Sequence, residues 1–129
     1  MKNPIVSLIQ ATPVLFDLDT STEKVEFWVE KATKDKPDLI LFPEAFLPGY
    51  PRGLTFGTKV GERSEQGRET WLHFWENSVS AQGTHTEKLG RIAAKHKIWL
   101  VIGVVERGNS GSLYCTILYF NPEGNLVGK

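Results

Sequence analysis

The sequence predicts an α/β protein, with parallel strands at its start and antiparallel strands at its end. Three observations carry that reading. A β-rich run, an amphipathic helical pattern and a second apolar run follow one another by Phe42. Two more helical patterns come next, and then two long strand patterns separated by a Gly-Asn-Ser-Gly turn. The length of 129 residues and the hydrophobic content of 40% suit one ordinary domain with its own core.

Ile5 to Gln10, IVSLIQ, is expected as a short strand closed by the turn region at Pro13. Thr20 and Glu23 stand at capping-box spacing, which predicts that the first helix starts at Thr20. Behind them Val25, Trp28, Val29 and Ala32 fall at i, i+3, i+4 and i+7, the stripe of an amphipathic helix. Pro37 closes that helix, because the residue before a proline avoids the α region. Asp38 to Phe42, DLILF, is a second strand, apolar on both faces and so expected to be central and covered. A β-α-β opening implies parallel strands joined by a right-handed crossover.

A polar stretch from Thr55 to Thr70 precedes a helix predicted over 71–79, with Trp71, Phe74, Trp75 and Val79 as its buried face. Thr84 and Glu87 make a second candidate capping box, for a helix whose inner face is Leu89, Ile92, Ala93 and His96. IWLVIGVVE and SLYCTILYFN are then strands across a tight turn, and the Pro122-Glu-Gly-Asn turn leads into LVGK as a third antiparallel strand.

Composition excludes several function classes. Lysine plus arginine balance aspartate plus glutamate at 15 each, which leaves no electrostatic footprint for nucleic acid or an anionic membrane. No apolar run approaches the roughly 18 residues that span a bilayer. The N-terminal apolar segment is too short for a secretory signal. Cys115 is the sole cysteine, so no internal disulfide forms; a reducing, cytoplasmic setting is expected. His73, His85 and His96 lack the spacing of a metal site, and His96 is expected as a hydrogen-bonded core histidine. The glycines make neither a G-x-G-x-x-G nor a phosphate loop, and the four tryptophans follow core positions rather than a stacking platform. No metal, nucleotide or redox cofactor is expected.

The segments LILFPEAFLPGYPRG, ERSEQGRE and GVVERGNSGSLYCTILYFNPEGNLVGK, in this order, resemble the N-terminal part of a nitrilase, within the carbon–nitrogen hydrolase superfamily. The likeness runs over essentially the whole chain, 1–129. It implies part of an α-β-β-α sandwich, incomplete in this chain, with two sheets face to face and helices outside. It implies a homo-oligomer acting on a small-molecule nitrile through a cysteine nucleophile, a lysine and a glutamate base. The motif places the base at Glu44. The family's lysine lies just beyond GNLVGK and its cysteine further on, so the chain alone is expected to be inactive. An amidase or cyanide-processing relative, or a truncated chain acting only through association, are the alternatives.

The physics of the segment points the same way. Glu44 follows an apolar strand, and ligands of α/β sheets gather at the carboxyl ends of strands. Pro43 and Pro48 restrict the backbone around it, and Phe42 and Phe46 are expected to bury it. A carboxylate so placed takes a thiol proton and returns it; the bland alternative is an acid that caps the following turn. Tyr50 either aims its phenol at the pocket or fills the turn. Arg52 forms a structural ion pair or meets a neighbouring subunit. Glu106 also ends an apolar strand, and is expected to orient the lysine or anchor a loop amide. Cys115 sits mid-strand with no basic neighbour and no helix N-terminus, so it is expected in the core rather than as the nucleophile.

Overall fold

In a computed structural model, residues 3–59 and 62–129 are described. Along the chain run β1 (Val6–Leu8), α1 (Leu18–Ala32), β2 (Leu39–Leu41), β3 (Thr58–Lys59), β4 (Glu62–Arg63), α2 (Glu65–Glu76), α3 (Thr84–His96), β5 (Trp99–Arg107), β6 (Leu113–Phe120) and β7 (Leu126–Gly128). Five strands make one sheet in the order β1-β2-β5-β6-β7, and β3 pairs with β4 apart from it. The β1-β2 and β2-β5 pairs are parallel, while β5-β6 and β6-β7 are antiparallel. The α/β class and the change from parallel to antiparallel pairing are as the sequence implies. Met1 and Lys2 of the N-terminal segment, and Val60 and Gly61 of the polar stretch, lie outside the described residues.

Register sorts the sheet into two unlike faces. Ile40, Leu100, Ile102, Val104, Leu118 and Phe120 share one face and are buried beneath α1 and α3. The helices meet them through Val25 and Val29 of α1 and Leu89, Ile92 and Ala93 of α3, so both predicted stripes form the core. Lys95 ties the two helices by ion pairs to Glu26 at 3.2 Å and Glu30 at 2.9 Å. The opposite face carries Leu8, Leu41, Trp99, Ile117 and Tyr119, all exposed, with Leu8 at 72%. Among the described residues its cover lies toward the far end, where Ala45, Phe74 and Val105 pack with Phe16, Phe56 and Leu113. The expectation that DLILF is covered on both faces is therefore corrected at Leu41, which is 36% exposed. No helix among the described residues is long and apolar enough to cross a membrane.

Both expected capping boxes are replaced by other caps. Asp17, not Thr20, caps α1: its carboxylate accepts the Thr20 amide at 2.8 Å and the Thr20 hydroxyl at 2.7 Å. An ionised acceptor three residues earlier outcompetes a hydroxyl, which becomes its donor. Helix α3 starts from Gly83 without a side-chain cap, so Thr84 is its first residue rather than its cap. The preceding turn, closed by the Gly83 amide on the Ser80 carbonyl at 3.0 Å, fixes that start.

Helix α2 begins six residues before the expected Trp71, at Glu65, because Ser64 accepts the Gly67 amide at 3.1 Å. The polar residues ahead of Trp71 are good helix formers that apolar periodicity alone overlooks. Phe74 is buried, Trp71 is 39% exposed, and Val79 lies past the helix, where it bridges to the edge of β5. Trp75 is half-buried under the Arg107 guanidinium, 5.0 Å from its ring. His96 also departs from expectation, since its Nε2 is buried without a hydrogen-bond partner among the described residues.

The Asp17 cap has a pH signature. Hydrogen bonds first from the Thr20 amide and then from its hydroxyl hold the Asp17 carboxyl below its ordinary value of 3.8. Stabilisation from a lowered carboxylate is complete above the unfolded value and disappears as pH falls through the folded one. Asp17→Ala should lower the melting temperature at neutral pH, with Asp17→Asn in between. Circular-dichroism melts should show the gap between parent and Asp17→Asn closing below 3.8; a pH-independent gap would rule out the charged cap.

Candidate active site

The site grows from the chain leaving β2. The Phe42 amide donates to the Val101 carbonyl at 2.8 Å, so the segment still follows β5 after the strand ends. The chain then turns through 44–46, with Ala45 at a positive φ of 47°. It returns to β5 at once: the Phe46 amide donates to the Gly103 carbonyl at 2.8 Å, and the Val105 amide to the Leu47 carbonyl at 2.7 Å. Phe42 and Phe46 point inward, their rings 5.1 Å apart, and both are buried.

Gly103 makes this approach possible. A Cβ there would stand 2.4 Å from the Pro43 carbonyl oxygen and 2.5 Å from the Glu44 Cα. Any side chain would push the turn off the sheet. A glycine inside an apolar strand pattern marks such a close approach, so IWLVIGVVE contained this signal.

Glu44 is consequently exposed, which corrects the expectation that Phe42 and Phe46 bury it. The two rings anchor the turn, while the carboxylate between them faces the open side of the sheet. It borders a cleft of about 530 Å³ whose wall includes Leu8, Leu41, Gly103 and Ile117. Cys115 borders the same cleft, and its Sγ donates to Glu44 Oε1 at 3.2 Å.

Cys115 is thus exposed on the open face rather than in the core. Strand alternation places it beside Ile117 and Tyr119 as expected; what differs is that the layer covering the far end of that face, at Val105 and Leu113, does not reach over Cys115. Acceptance of its S–H by Glu44 pushes the thiol above its ordinary pKa, with burial and then the Glu44 charge adding to the effect. A thiol held protonated in this way is a poor nucleophile.

Glu106 lies on the other face of β5. It is 9% exposed, accepts the Thr116 hydroxyl at 2.9 Å and forms an ion pair with Lys129. Its partners are a lysine and a hydroxyl, and the two carboxylates are not brought together. Tyr50 is 65% exposed and outside the residues that line the Glu44 cleft. Arg52 is exposed and enters none of the ion pairs of the described residues, against the expected structural pair. His73 packs edge-on against Phe16, and His85 contacts Asp19 at 2.7 Å. Among the described residues, no group of three or more His, Cys, Asp or Glu side chains could hold a metal ion.

The chain belongs to the carbon–nitrogen hydrolase family, whose sequence pattern it matches over residues 5–129. It is 36% identical over 95% of its length to a bifunctional nitrilase/nitrile hydratase of Nicotiana tabacum, covering 35% of that protein. It is 37% identical to nitrilase 2 of Arabidopsis thaliana, again over 95% of the chain and 36% of the relative. An aliphatic nitrilase of Sinorhizobium fredii is likewise 37% identical over 95% of the chain, which covers 39% of it. Among solved structures, an N-terminal amidase with a bound Gln-Gly peptide superposes with a TM-score of 0.68 at 27% identity, over 97% of this chain and 26% of that one. A CN-hydrolase superfamily protein of Xanthomonas campestris shares the fold with a TM-score of 0.70 at 17% identity, over 98% of this chain and 39% of that one. The chain therefore spans little more than a third of the curated relatives it matches.

The clamp is testable on this chain. Gly103→Ala should force the 43–45 turn away from β5 and destabilise the fold by about 1–3 kcal/mol, the usual cost of overpacking. Thermal denaturation should show a clearly lower midpoint; an unchanged one would mean that the turn does not sit against Gly103.

Proposed function

We propose that this segment belongs to a nitrilase, which hydrolyses a nitrile to a carboxylic acid and ammonia with Glu44 as general base. The observation that carries the proposal is the placement of Glu44: Phe42 before it and Phe46 after it are hydrogen-bonded to β5 through their amides, and its carboxylate borders a cleft. The family likeness supports the rest, since relatives described as nitrilases share 36–37% identity with the chain.

The chemistry follows from what a fixed carboxylate does. The cysteine and lysine are those implied by the resemblance, in the longer polypeptide beyond this segment. Glu44 accepts the proton of that thiol as the sulfur attacks the nitrile carbon, and the nitrile nitrogen gains a proton to give a thioimidate. Water adds to the thioimidate carbon, and the resulting tetrahedral intermediate is stabilised by the lysine. The C–N bond breaks, ammonia leaves, and a thioester remains. A second water cleaves the C–S bond, which releases the carboxylic acid and restores the thiol. A proton acceptor that is already oriented loses no entropy to being placed at the moment of reaction.

In a full-length polypeptide carrying this segment, Glu44→Gln keeps size and hydrogen-bonding reach but loses the base. Turnover of a nitrile, read as ammonia release, should fall by about a hundredfold or more. A larger loss in Glu106→Gln than in Glu44→Gln would reverse the roles of the two carboxylates. Running the same assay with the corresponding amide separates nitrilase from amidase.

A second reading, association without catalysis, is favoured by one observation. Leu8, Leu41, Trp99, Ile117 and Tyr119 leave an apolar sheet face exposed. Such a face invites another chain. By itself the 129-residue chain should self-associate, and a complementary C-terminal segment should suppress this by covering the face. Light scattering behind size-exclusion chromatography, over a dilution series, measures it; a compact monomer at every concentration would count against the idea.

A further inference from the structure

Cys115 has no assigned part in the proposed chemistry, yet it touches the one residue that does. We infer that Cys115 is a positioning residue for Glu44, its thiol hydrogen-bonded to Oε1 so that the carboxylate is held over the cleft with Oε2 left for the reacting proton. The inference rests on Glu44 being the base.

Geometry carries the argument. The Sγ–Oε1 distance is 3.2 Å, inside sulfur's hydrogen-bonding range, and no other hydrogen bond to the Glu44 carboxylate is found among the described residues. Glu44 is exposed on a turn whose backbone is clamped but whose side chain has rotamer freedom. Cys115 stands on β6, directly opposite Val105 of β5, so its own position is fixed by the antiparallel ladder. A strand thus supplies the only hydrogen bond to the exposed carboxylate among the described residues. A hydrogen bond of this kind selects one rotamer before substrate arrives.

The charges around the thiol agree with this role. The titratable and charged groups lining the two clefts that Cys115 borders are Glu44 on the turn, Glu106 and Arg107 on β5, Tyr114 on its own strand, and Lys129; Glu106 and Tyr114 lie across the sheet from the thiol. Lys129 is engaged by Glu106. Arg107 donates to the Glu76 carbonyl at 3.1 Å and lies over Trp75. Glu44 is left as the charge acting on the sulfur, and it keeps the thiol protonated, which is the donor state the contact needs. The same fact separates Cys115 from a nucleophile, which requires the thiolate.

Two measurements test the inference. Cys115 is the sole cysteine, so alkylation of the 129-residue chain reports on it alone. In the folded parent the thiol should titrate above its value in urea, and Glu44→Ala should bring it back down, with several-fold faster alkylation at neutral pH. In a full-length polypeptide carrying the segment, Cys115→Ala should lower kcat several-fold at unchanged KM, and Cys115→Ser, which keeps a donor, should restore most of it. Identical titration of folded parent, Glu44→Ala and unfolded chain would overturn the contact, as would a parental kcat in Cys115→Ala. Either result leaves the assignment of Glu44 standing if Glu44→Gln is still inactive. Retained turnover in Glu44→Gln would instead remove the base, and the positioning role with it.

Discussion

The close passage of the 43–47 turn over Gly103 is the contact on which the site depends. Four backbone hydrogen bonds fasten the segment to β5, donated by Phe42, Phe46, Leu47 and Val105, and the missing side chain at 103 lets it settle against the strand. Phe42 and Phe46 are driven into the core by burial, worth roughly 1.5–3 kcal/mol for each such ring. With two apolar neighbours pulled inward and the backbone pinned outside them, the Glu44 side chain emerges on the open face of the sheet. Its exposure is thus a result of good packing around it, not of looseness.

This arrangement also explains which parts of the molecule were legible in the sequence. The helix stripes Val25-Val29 and Leu89-Ile92-Ala93 and the strand alternation through Cys115 and Leu118 were readable because periodicity encodes them directly. Caps were misplaced because a threonine–glutamate pair at the right spacing competes with any earlier acceptor, and Asp17 is the stronger one. Helix α2 was shortened because its first turn is polar and carries no stripe. At the candidate site, the flanking prolines and phenylalanines single out Glu44 in the sequence. Its exposure and the meeting with Cys115 are not legible there, because both depend on which sheet face is covered. A strand that is apolar on both faces looks the same whether or not a second layer is present.

That asymmetry between the faces orders the rest of the fold. The helical face is dense: Ile40, Leu100, Ile102, Val104 and Leu118 are fully buried under α1 and α3. Among the described residues the opposite face is covered toward one end, where α2 and the 45–56 segment reach Val105 and Leu113. At roughly 25 cal/mol per Å² of apolar surface, leaving that face in water forgoes stabilisation that a second layer would supply. An α-β-β-α sandwich supplies such a layer, and the chain spans only 35–39% of the length of its nitrilase relatives.

Placement of the proposed base and completion of the cleft are therefore separable. The backbone hydrogen bonds that hold the Glu44 turn to the sheet run between 42–47 and β5, and the one hydrogen bond found on its carboxylate among the described residues comes from Cys115. None of these needs a layer on the open face. The chemistry does need one, because an acid–base pair in open water gains little from orientation: solvent competes for each proton and weakens each charge. A segment like this can fix the direction of a catalytic group through its own strand pairing. The dry, enclosed environment that makes the direction useful has to come from whatever covers Leu8, Leu41 and Ile117.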